Sequence, residues 1–503
     1  MKTGRKPDVT RRRVLKAGLG ATALFLPVPY VWVRAQSEGS MKLLRLPKIA
    51  LVIGNSLYKN VPSLGNPGND ARAIGEALRQ SGFEVTITLD AGREALAAAI
   101  RAHVQMLAAK KAVGLFYFAG HGVQLAWRNY LIPVDASVSK LEDIQTACID
   151  LTSLIEGINK ASNPMNVVIL DACRENPFGG DIRVENRGLS QIDAPHSTLL
   201  AYATAPGNVA SDGEGANGLY TENLLREMRV PDAKIEDVFK RVRLNVRRRT
   251  NGQQIPWEST SLEEDFYFVP PKEIKRISEE EADRLFEYEA ALWEKIGESK
   301  EPGPLEDYLR RHPGGKFSDL AQLQLDRLLA QQGEKKIEVI SDSRNPYTKG
   351  SAIADTRFKV GDSYTYRNQD LFAKTENASA ADTVTRISRT TVTYDSGLVT
   401  DFLGNRIRGR QGERLAMGNQ GTPLEFSVGK RWSSRYVMPP GFGASGRAFI
   451  DMDFRVVTRE PVTVPAGTFN AFHIKGVGFS AGSGANVLRT EVEIWHAPGQ
   501  VRR

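Results

Sequence analysis

Two stretches decide the fold: "LFYFAGHG" at residues 115–122 and "VVILDACREN" at residues 167–176. Each is a short, continuously apolar run that ends at one reactive side chain, His121 in the first and Cys173 in the second. Apolar runs of this length, separated by helical patterns, are typical of parallel strands buried on both faces. Because binding and catalytic groups gather at the carboxyl ends of such strands, we expect His121 and Cys173 to reach one site.

The surrounding sequence extends this pattern into an α/β domain with six strands, closed by Pro270 and Pro271. A cap at Asn69 or Asp70 marks the first predicted helix. The predicted strands are 48–54, 83–89, 112–120, 166–173, 197–205 and 265–269, and the predicted helices are 69–83, 93–110, 151–161, 218–228 and 235–249.

The residue types at the two strand ends suit nucleophilic catalysis. A thiol such as Cys173 needs a base or ion-pair partner to attack at neutral pH, and His121 can supply it. Gly120 and Gly122 leave the histidine loop open, and the amides of Gly122 and Cys173 are the natural donors for an oxyanion. Each residue alone fits a bland role, a buried small thiol or a strand-end histidine, but the combination favours a catalytic dyad.

Several motifs resemble the caspase-like cysteine peptidase family, in its bacterial metacaspase-related branch. They are "KIALVIGNSLYKN", "GLFYFAGHGVQ", "YLIPVDA", "VVILDACRENPF" and "AYATAPGNVASDG". The resemblance covers about 220 residues. It implies the caspase-haemoglobinase fold, endopeptidase activity on protein or peptide substrates, and His121 and Cys173 as the dyad.

The resemblance also implies a substrate preference. Asp171 stands two residues before Cys173, and a metacaspase-like pocket for a substrate Arg or Lys would use Asp171 together with Asp70. Asp171 could instead bind a loop amide, and Asp70 could be a helix N-cap. Metacaspases often bind calcium, but we place no calcium or other metal site in this sequence, whose histidines lack ligand spacing.

The basic balance of the chain lies in its first 35 residues. The whole chain carries a formal charge of +8, and residues 1–35 hold eight basic residues and one acid, a net of +7, which leaves about +1 for the rest. "TRRRVLK" at 10–16, followed by an apolar stretch and "VRA", resembles a twin-arginine signal peptide with Val14 in place of Phe. It predicts export to the periplasm or beyond. An uncleaved anchor is the alternative, although Pro27 and Pro29 interrupt the stretch.

Two further charged segments invite functional interpretations. Arg183 and Arg187, between the halves of the domain, are candidate self-cleavage sites, with an ordinary exposed loop as the alternative. Residues 240–249 are rich in arginine and lysine, but an apolar stripe at helical spacing predicts an amphipathic helix whose charges lie mostly on the solvated faces. We therefore expect no nucleic-acid partner.

The remaining chain divides into a helical part and a β-rich part. The predicted organisation is a signal peptide at 1–35, a caspase-like peptidase domain at 46–270, a helical spacer at 275–335 and an all-β domain at 350–503. A fragment of a helical repeat is the alternative for the spacer. No segment of the mature chain is predicted to span a membrane. The competing functional hypothesis is a non-catalytic caspase-like scaffold that binds a partner through its β domain.

Overall fold

A computed structural model describes most of the chain. The predicted leader, Arg183 and Arg187 lie outside the described residues. The described residues are 39–173, 176–179, 182, 188–205, 215–272, 278–334, 344–370, 375–409, 420–437, 448–464, 467–482 and 489–499.

The N-terminal domain is built on a mostly parallel sheet. Its strands are β1 (Lys48–Gly54), β2 (Glu84–Leu89), β3 (Val113–Leu125), β4 (Arg128–Leu131), β5 (Ile149–Asp150), β6 (Met165–Cys173), β7 (Thr198–Tyr202) and β8 (Trp257–Thr260). The main path runs β2-β1-β3-β6-β7-β8, with β4 and β5 attached to the far end of β3. Along this path the neighbours are parallel, except β7 and β8, which are antiparallel.

Helices cover both faces of the sheet because alternate strand residues point to opposite sides. The helices are α1 (Pro67–Gln80), α2 (Arg93–Lys110), α3 (Asp143–Ala147), α4 (Leu151–Ala161), α5 (Leu219–Met228) and α6 (Ile235–Arg249). Residues such as Leu115 and Ile169 pack under α1, α5 and α6, whereas Phe116 and Val168 pack under α2 and α4. The predicted α/β fold, a six-stranded sheet flanked by helices, is confirmed.

The predicted last strand at 265–269 is wrong. The sixth strand of the path is β8, and the predicted segment makes an isolated bridge between Tyr267 and Lys234. Phe266 and Phe268 are fully buried, and their rings meet edge to face at 5.7 Å. Alternating aromatic residues suit a strand and an extended core segment equally, and here they fill the core beneath the helices.

Three helices and a set of antiparallel sheets follow the α/β domain. The helices are α7 (Glu279–Ile296), α8 (Pro302–Arg311) and α9 (Ser318–Gln331). They share a core with Leu244 of α6, while Leu323 of α9 belongs to the core of the β region. None of the helices within the described ranges is long and apolar enough to cross a membrane.

The β region agrees with the all-β texture of its sequence. It contains a five-stranded sheet β10-β11-β12-β13-β14, a pair β9-β15 and a four-stranded sheet β16-β17-β18-β19 among the described residues, all antiparallel. The bounds are β9 (Ala352–Ile353), β10 (Ser363–Asp370), β11 (Thr375–Ile387), β12 (Thr391–Tyr394), β13 (Val399–Asp401), β14 (Arg406–Arg408), β15 (Glu425–Phe426), β16 (Arg431–Val437), β17 (Ala448–Val464), β18 (Gly467–Gly482) and β19 (Arg489–His496).

The basic face of α6 is not uniformly solvated, contrary to the sequence-based expectation. Arg243 is largely buried and pairs with Glu258 at 3.0 Å and with Glu425 of β15 at 3.5 Å. Arg247 pairs with Glu334, just beyond α9, at 2.7 Å. These arginines join the α/β domain to the rest of the chain, a role that an amphipathic pattern alone does not reveal.

Candidate active site at the ends of β3 and β6

The pairing of β3 with β6 brings the two predicted dyad residues side by side in the backbone. His121 and Cys173 are Cα partners, and so are Ala119 and Asp171 two positions earlier. Partners on adjacent strands lie about 5 Å apart. For Cys173 the backbone is described and the side chain lies outside the described part of the chain. The two residues therefore align as the sequence predicts, although β3 continues past His121 to Leu125.

The imidazole of His121 is buried and held from two directions. Its Nε2 lies 2.8 Å from the carbonyl oxygen of Pro62. Because a carbonyl only accepts hydrogen bonds, Nε2 must carry the ring proton in this arrangement. The backbone N–H of His121 donates to the Tyr58 hydroxyl at 2.8 Å, and the two rings lie 4.7 Å apart. Nδ1 is thereby left as the basic nitrogen of the neutral ring.

Gly120 permits this close contact between β3 and Tyr58. Its φ is 152°, a conformation that side chains rarely adopt, and a Cβ there would lie 2.6 Å from the Tyr58 hydroxyl oxygen. A larger residue would therefore displace either Tyr58 or the histidine that follows. The glycine noted in the sequence as keeping the loop open has a specific packing reason.

The backbone amide of Gly122 points toward β6. The carbonyl oxygens of Ala119 and His121 accept hydrogen bonds from Asn55 (2.9 Å) and Ile132 (3.0 Å), which lie on the β1 and β4 side of β3. Backbone groups of successive strand residues alternate between the two edges of a strand. The amide of Gly122 consequently faces the edge at which β6 ends with Cys173.

Tyr58 and Pro62 were not identified from the sequence. They lie in the segment after β1, which Asp90 holds in place by accepting the amides of Ser56 and Leu57, both at 2.8 Å. The available signal was topological, because β1 is the direct neighbour of β3 and both strands end at the same edge of the sheet.

Asp171 contacts two hydroxyl groups among the described residues. Its Oδ2 accepts from Thr221 at 2.7 Å and from Tyr117 at 3.4 Å. Thr221 and Tyr117 also contact each other at 2.6 Å. Burial, followed by the charges of Asp171 and Asp70, raises the pKa of Tyr117 well above its ordinary value. Tyr117 therefore stays protonated and able to donate beside Asp171.

Asp70 is buried, but it does not cap its own helix. α1 starts at Pro67 with Asn66 as its N-cap, so the predicted cap at Asn69 or Asp70 is wrong. Asp70 Oδ1 instead accepts from the backbone N–H of Gly218, the N-cap of α5, at 2.9 Å and from the side chain of Asn217 at 2.8 Å. Its carboxylate thus stabilises the start of a different helix.

The start of α5 brings the two predicted pocket acids together. Asp70 contacts Gly218 at the N-cap, and Asp171 contacts Thr221 in the first turn. The positive end of the helix dipole favours negative charge at this position. The arrangement is thus a pair of carboxylates close to the carboxyl end of β6, which carries Cys173. Two negative charges together provide a suitable environment for a cation.

Other residues that could carry chemistry are inert or dispersed. Cys148 is a free cysteine, and burial raises the pKa of its thiol to about 12, so it is a poor nucleophile. Within the described ranges, no three His, Cys, Asp or Glu side chains cluster closely enough to hold a metal ion. We therefore place no calcium site in the described part of the chain and derive no step through one.

Comparison with known proteins finds similarity to caspase domains in the region of the α/β domain. Residues 47–267, less than half of the chain, match the peptidase C14 family model described as the caspase domain. The chain is 26% identical over 250 residues to mucosa-associated lymphoid tissue lymphoma translocation protein 1 of Homo sapiens, covering 48% of this chain and 29% of that protein. The Mus musculus homolog is 27% identical over 230 residues, covering 44% and 27%. The chain spans under a third of the length of these relatives.

The N-terminal α/β domain therefore resembles a caspase domain, and its fold and family match are consistent with a cysteine peptidase.

Proposed function

We propose that the protein is a cysteine endopeptidase of the bacterial metacaspase-related type, which cleaves protein substrates after Arg or Lys. The observation that carries the proposal is the strand register that pairs His121 with Cys173 inside the caspase-like domain. The dyad, the oxyanion donors and the basic preference all belong to this proposal.

The Cys173 thiolate attacks the carbonyl carbon of the scissile bond, and a C–S bond forms as the carbonyl becomes an oxyanion. The amides of Gly122 and Cys173 donate to that oxygen. The orientation of the Gly122 amide toward β6 supports this role. Donors fixed by strand geometry need no rearrangement as the charge develops, so they favour the transition state over the bound substrate.

His121 acts as the general base and general acid. Its Nε2 is committed to the Pro62 carbonyl, so Nδ1 takes the proton of the thiol and later gives it to the leaving amine as the C–N bond breaks. The acyl-enzyme then reacts with water, from which Nδ1 removes a proton, and the thiol is regenerated. Tyr58 supports this cycle by fixing the backbone of His121.

Asp171 and Asp70 set the preference for a basic side chain. Their contacts with the start of α5 hold both carboxylates on one side of the Cys173 strand end. A guanidinium or ammonium group of the substrate binds there through charge-assisted hydrogen bonds, which are about twice as strong as neutral ones. An acidic substrate side chain at the same position would be repelled.

The test uses reporter peptides ending in Arg, Lys or Asp, incubated with the full chain. We expect cleavage after Arg and Lys, a fall of about 10⁴-fold or more in Cys173→Ala, and a fall of about 100-fold for basic reporters in Asp171→Asn. The matched control is Cys148→Ala, which removes the buried thiol and should keep the activity.

Two results would contradict the proposal. Cleavage after Asp alone would exclude the basic pocket, and undiminished activity in Cys173→Ala would exclude the nucleophile. If the chain cleaves none of the reporters and a thiol-reactive Arg peptide fails to label Cys173, the non-catalytic scaffold becomes the better interpretation.

We also propose that the chain is exported by the twin-arginine route, on the basis of "TRRRVLK" at residues 10–16. Replacing the arginines at 11–13 with lysine should retain the protein in the cytoplasm, as measured by fractionation of a host that carries this pathway. Export of the variant at the original level would contradict this route.

A further inference from the structure

A segment far along the chain contacts the loop that borders the candidate active site. We call residues 344–351 the clamp segment and residues 188–193 the site loop. The site loop precedes β7, and the clamp segment precedes the first strand of the β region. More than 150 residues separate their bonded partners in sequence. The contact is therefore a long-range feature of the folded chain.

Asn345 is the buried centre of this contact. Its Nδ2 donates to the hydroxyl of Ser190 and to the carbonyl oxygen of Gln191, both at 2.9 Å. Its Oδ1 accepts the backbone N–H of Tyr347 at 2.9 Å. One side chain thus shapes the clamp segment and binds the site loop, and its truncation would leave buried polar groups without partners.

Asp193 provides the second attachment. Its two carboxylate oxygens accept from the Thr348 hydroxyl at 2.6 Å and from the Lys349 amide at 2.7 Å, while its own amide donates to the Tyr347 carbonyl at 3.1 Å. Arg459 of β17 donates to the Lys349 carbonyl at 3.0 Å. The clamp segment is therefore fixed to the β region on one side and to the site loop on the other.

The site loop in turn lies against β3 at Gly122, the proposed oxyanion donor. A Cβ on Gly122 would be 3.2 Å from Leu189, so the loop packs directly on that glycine. Asn129 of β4 is fully buried and bonds Ser190 in both directions, accepting its amide at 2.6 Å and donating to its carbonyl at 2.9 Å. Displacing the site loop would remove the packing against Gly122 and loosen β4.

The clamp segment also contacts the β3–β4 hairpin directly. The guanidinium of Arg128 lies 5.2 Å from the centre of the Tyr347 ring, and that of Arg344 lies 5.9 Å from the Trp127 ring. Ala126 and Trp127 form the hairpin turn with positive φ values of 48° and 66°. Conformations of this kind persist only when the surroundings hold them.

We propose that the clamp segment is a positioning element for the active site. By holding the site loop against Gly122 and the β3–β4 hairpin, residues 344–351 keep the oxyanion donors and the histidine strand in register with Cys173. This inference rests on the proposed peptidase function for its catalytic consequence. It gives the C-terminal part of the chain a role in supporting the active site through the site loop.

The test compares Asn345→Ala and Asn345→Asp with the full wild-type chain. Both variants lose the hydrogen bonds that Asn345 donates to the site loop, whereas Asn345→Asp keeps the acceptor for the Tyr347 amide within the clamp segment. Because the proposal depends on the bonds to the site loop, both variants should show the same effect. The matched control is Asn405→Ala, which removes a similarly buried asparagine that bonds Asp401 and Thr422 within the β region.

Three measurements are made: hydrogen exchange of peptides covering 188–193, steady-state kinetics (kcat and KM) with an Arg reporter, and the rate at which iodoacetamide alkylates Cys173. In both Asn345 variants we expect exchange to rise and kcat to fall, each by about tenfold, with KM changed less than about twofold. The alkylation rate of Cys173 should change at least about threefold, with buried Cys148 as the internal reference. The Asn405→Ala control should leave all three unchanged.

Unchanged exchange of the site loop would overturn the proposal, as would increased exchange with wild-type kcat. If the wild-type chain cleaves no reporter, the peptidase proposal fails. The alkylation rate of Cys173 then tests the positioning role of the clamp segment by itself. A changed rate then supports positioning of Cys173 by the clamp segment, and an unchanged rate refutes it.

Discussion

The buried His103 of α2 should make the stability of the chain depend on pH. His103 shares the buried stripe of that helix with Leu96, Ile100 and Leu107. Neither ring nitrogen has a hydrogen-bond partner among the described residues. Burial lowers the pKa of His103 from 6.5 to about 4, because a protonated ring would lose its hydration.

The sign and size of the effect follow from the two pKa values. As the pH falls, His103 takes up a proton in the unfolded chain before it does so in the folded chain. The unfolding free energy is therefore highest above about pH 6.5 and falls as the pH approaches 4. The difference between 6.5 and about 4 corresponds to about 3 kcal/mol of unfolding free energy in total. About 2 kcal/mol of this is already lost at pH 5.

The perturbation is His103→Leu, which keeps the stripe apolar. Near pH 8 its unfolding free energy should lie within about 1 kcal/mol of wild type, and at pH 5 the difference should shift by about 2 kcal/mol in favour of the variant. The unfolding free energy is measured by urea titration at several pH values between 5 and 8. The unfolded fraction is detected by a labelling pulse, always at one fixed pH, on peptides from α2. The measurement therefore reports on this domain. His196→Gln, at a solvent-exposed histidine, is the control. Equal pH slopes for wild type and His103→Leu would refute the reasoning.

Three further predictions concern the site and its supports. Tyr58→Phe leaves the buried amide of His121 without its acceptor and should lower kcat/KM by about 10-fold or more in steady-state assays, with the fold retained. Gly120→Ala should abolish activity and lower the Tm by about 5 °C in calorimetry, because its Cβ would clash with the Tyr58 hydroxyl. Arg247→Met should cost about 3 kcal/mol in denaturant unfolding, whereas Arg249→Met, at an exposed pair, should cost less than about 1; equal costs would contradict the buried-pair argument.

The sheet and the alignment of its reactive ends could be predicted because both depend on local patterns. The apolar runs gave β1, β3 and β6 within a few residues, and the parallel topology placed their carboxyl ends at one edge. His121 and Cys173 follow the apolar runs directly, so their alignment could be predicted from the sequence, although β3 itself continues to Leu125. Three helices, α2, α4 and α6, have the predicted bounds, since an apolar period sets them.

The rest of the site depends on contacts that no local pattern carries. Tyr58 and Thr221 sit in ordinary surroundings in the sequence and become relevant only when folding brings them against His121 and Asp171. Asp70 has the residue type and position of a helix cap, yet it bonds α5. The predicted strand at 265–269 failed for a related reason, because burial among helices and burial in a sheet favour the same aromatic alternation.

The double burial of α9 has a consequence for the order of events during synthesis. Its Leu323 joins the β core and its Leu325 joins the core that contains Leu244 of α6, so Leu244 lacks part of its cover until α9 has been made. About 80 residues separate the ends of the two helices, which at about 5 to 20 residues per second is a delay of about 4 to 16 seconds. A chain that stops before residue 318 would leave Leu244 of α6 without its contacts from α9, Arg243 without Glu425 and Arg247 without Glu334. Such a product should be removed by cellular proteases rather than accumulate as a smaller folded protein.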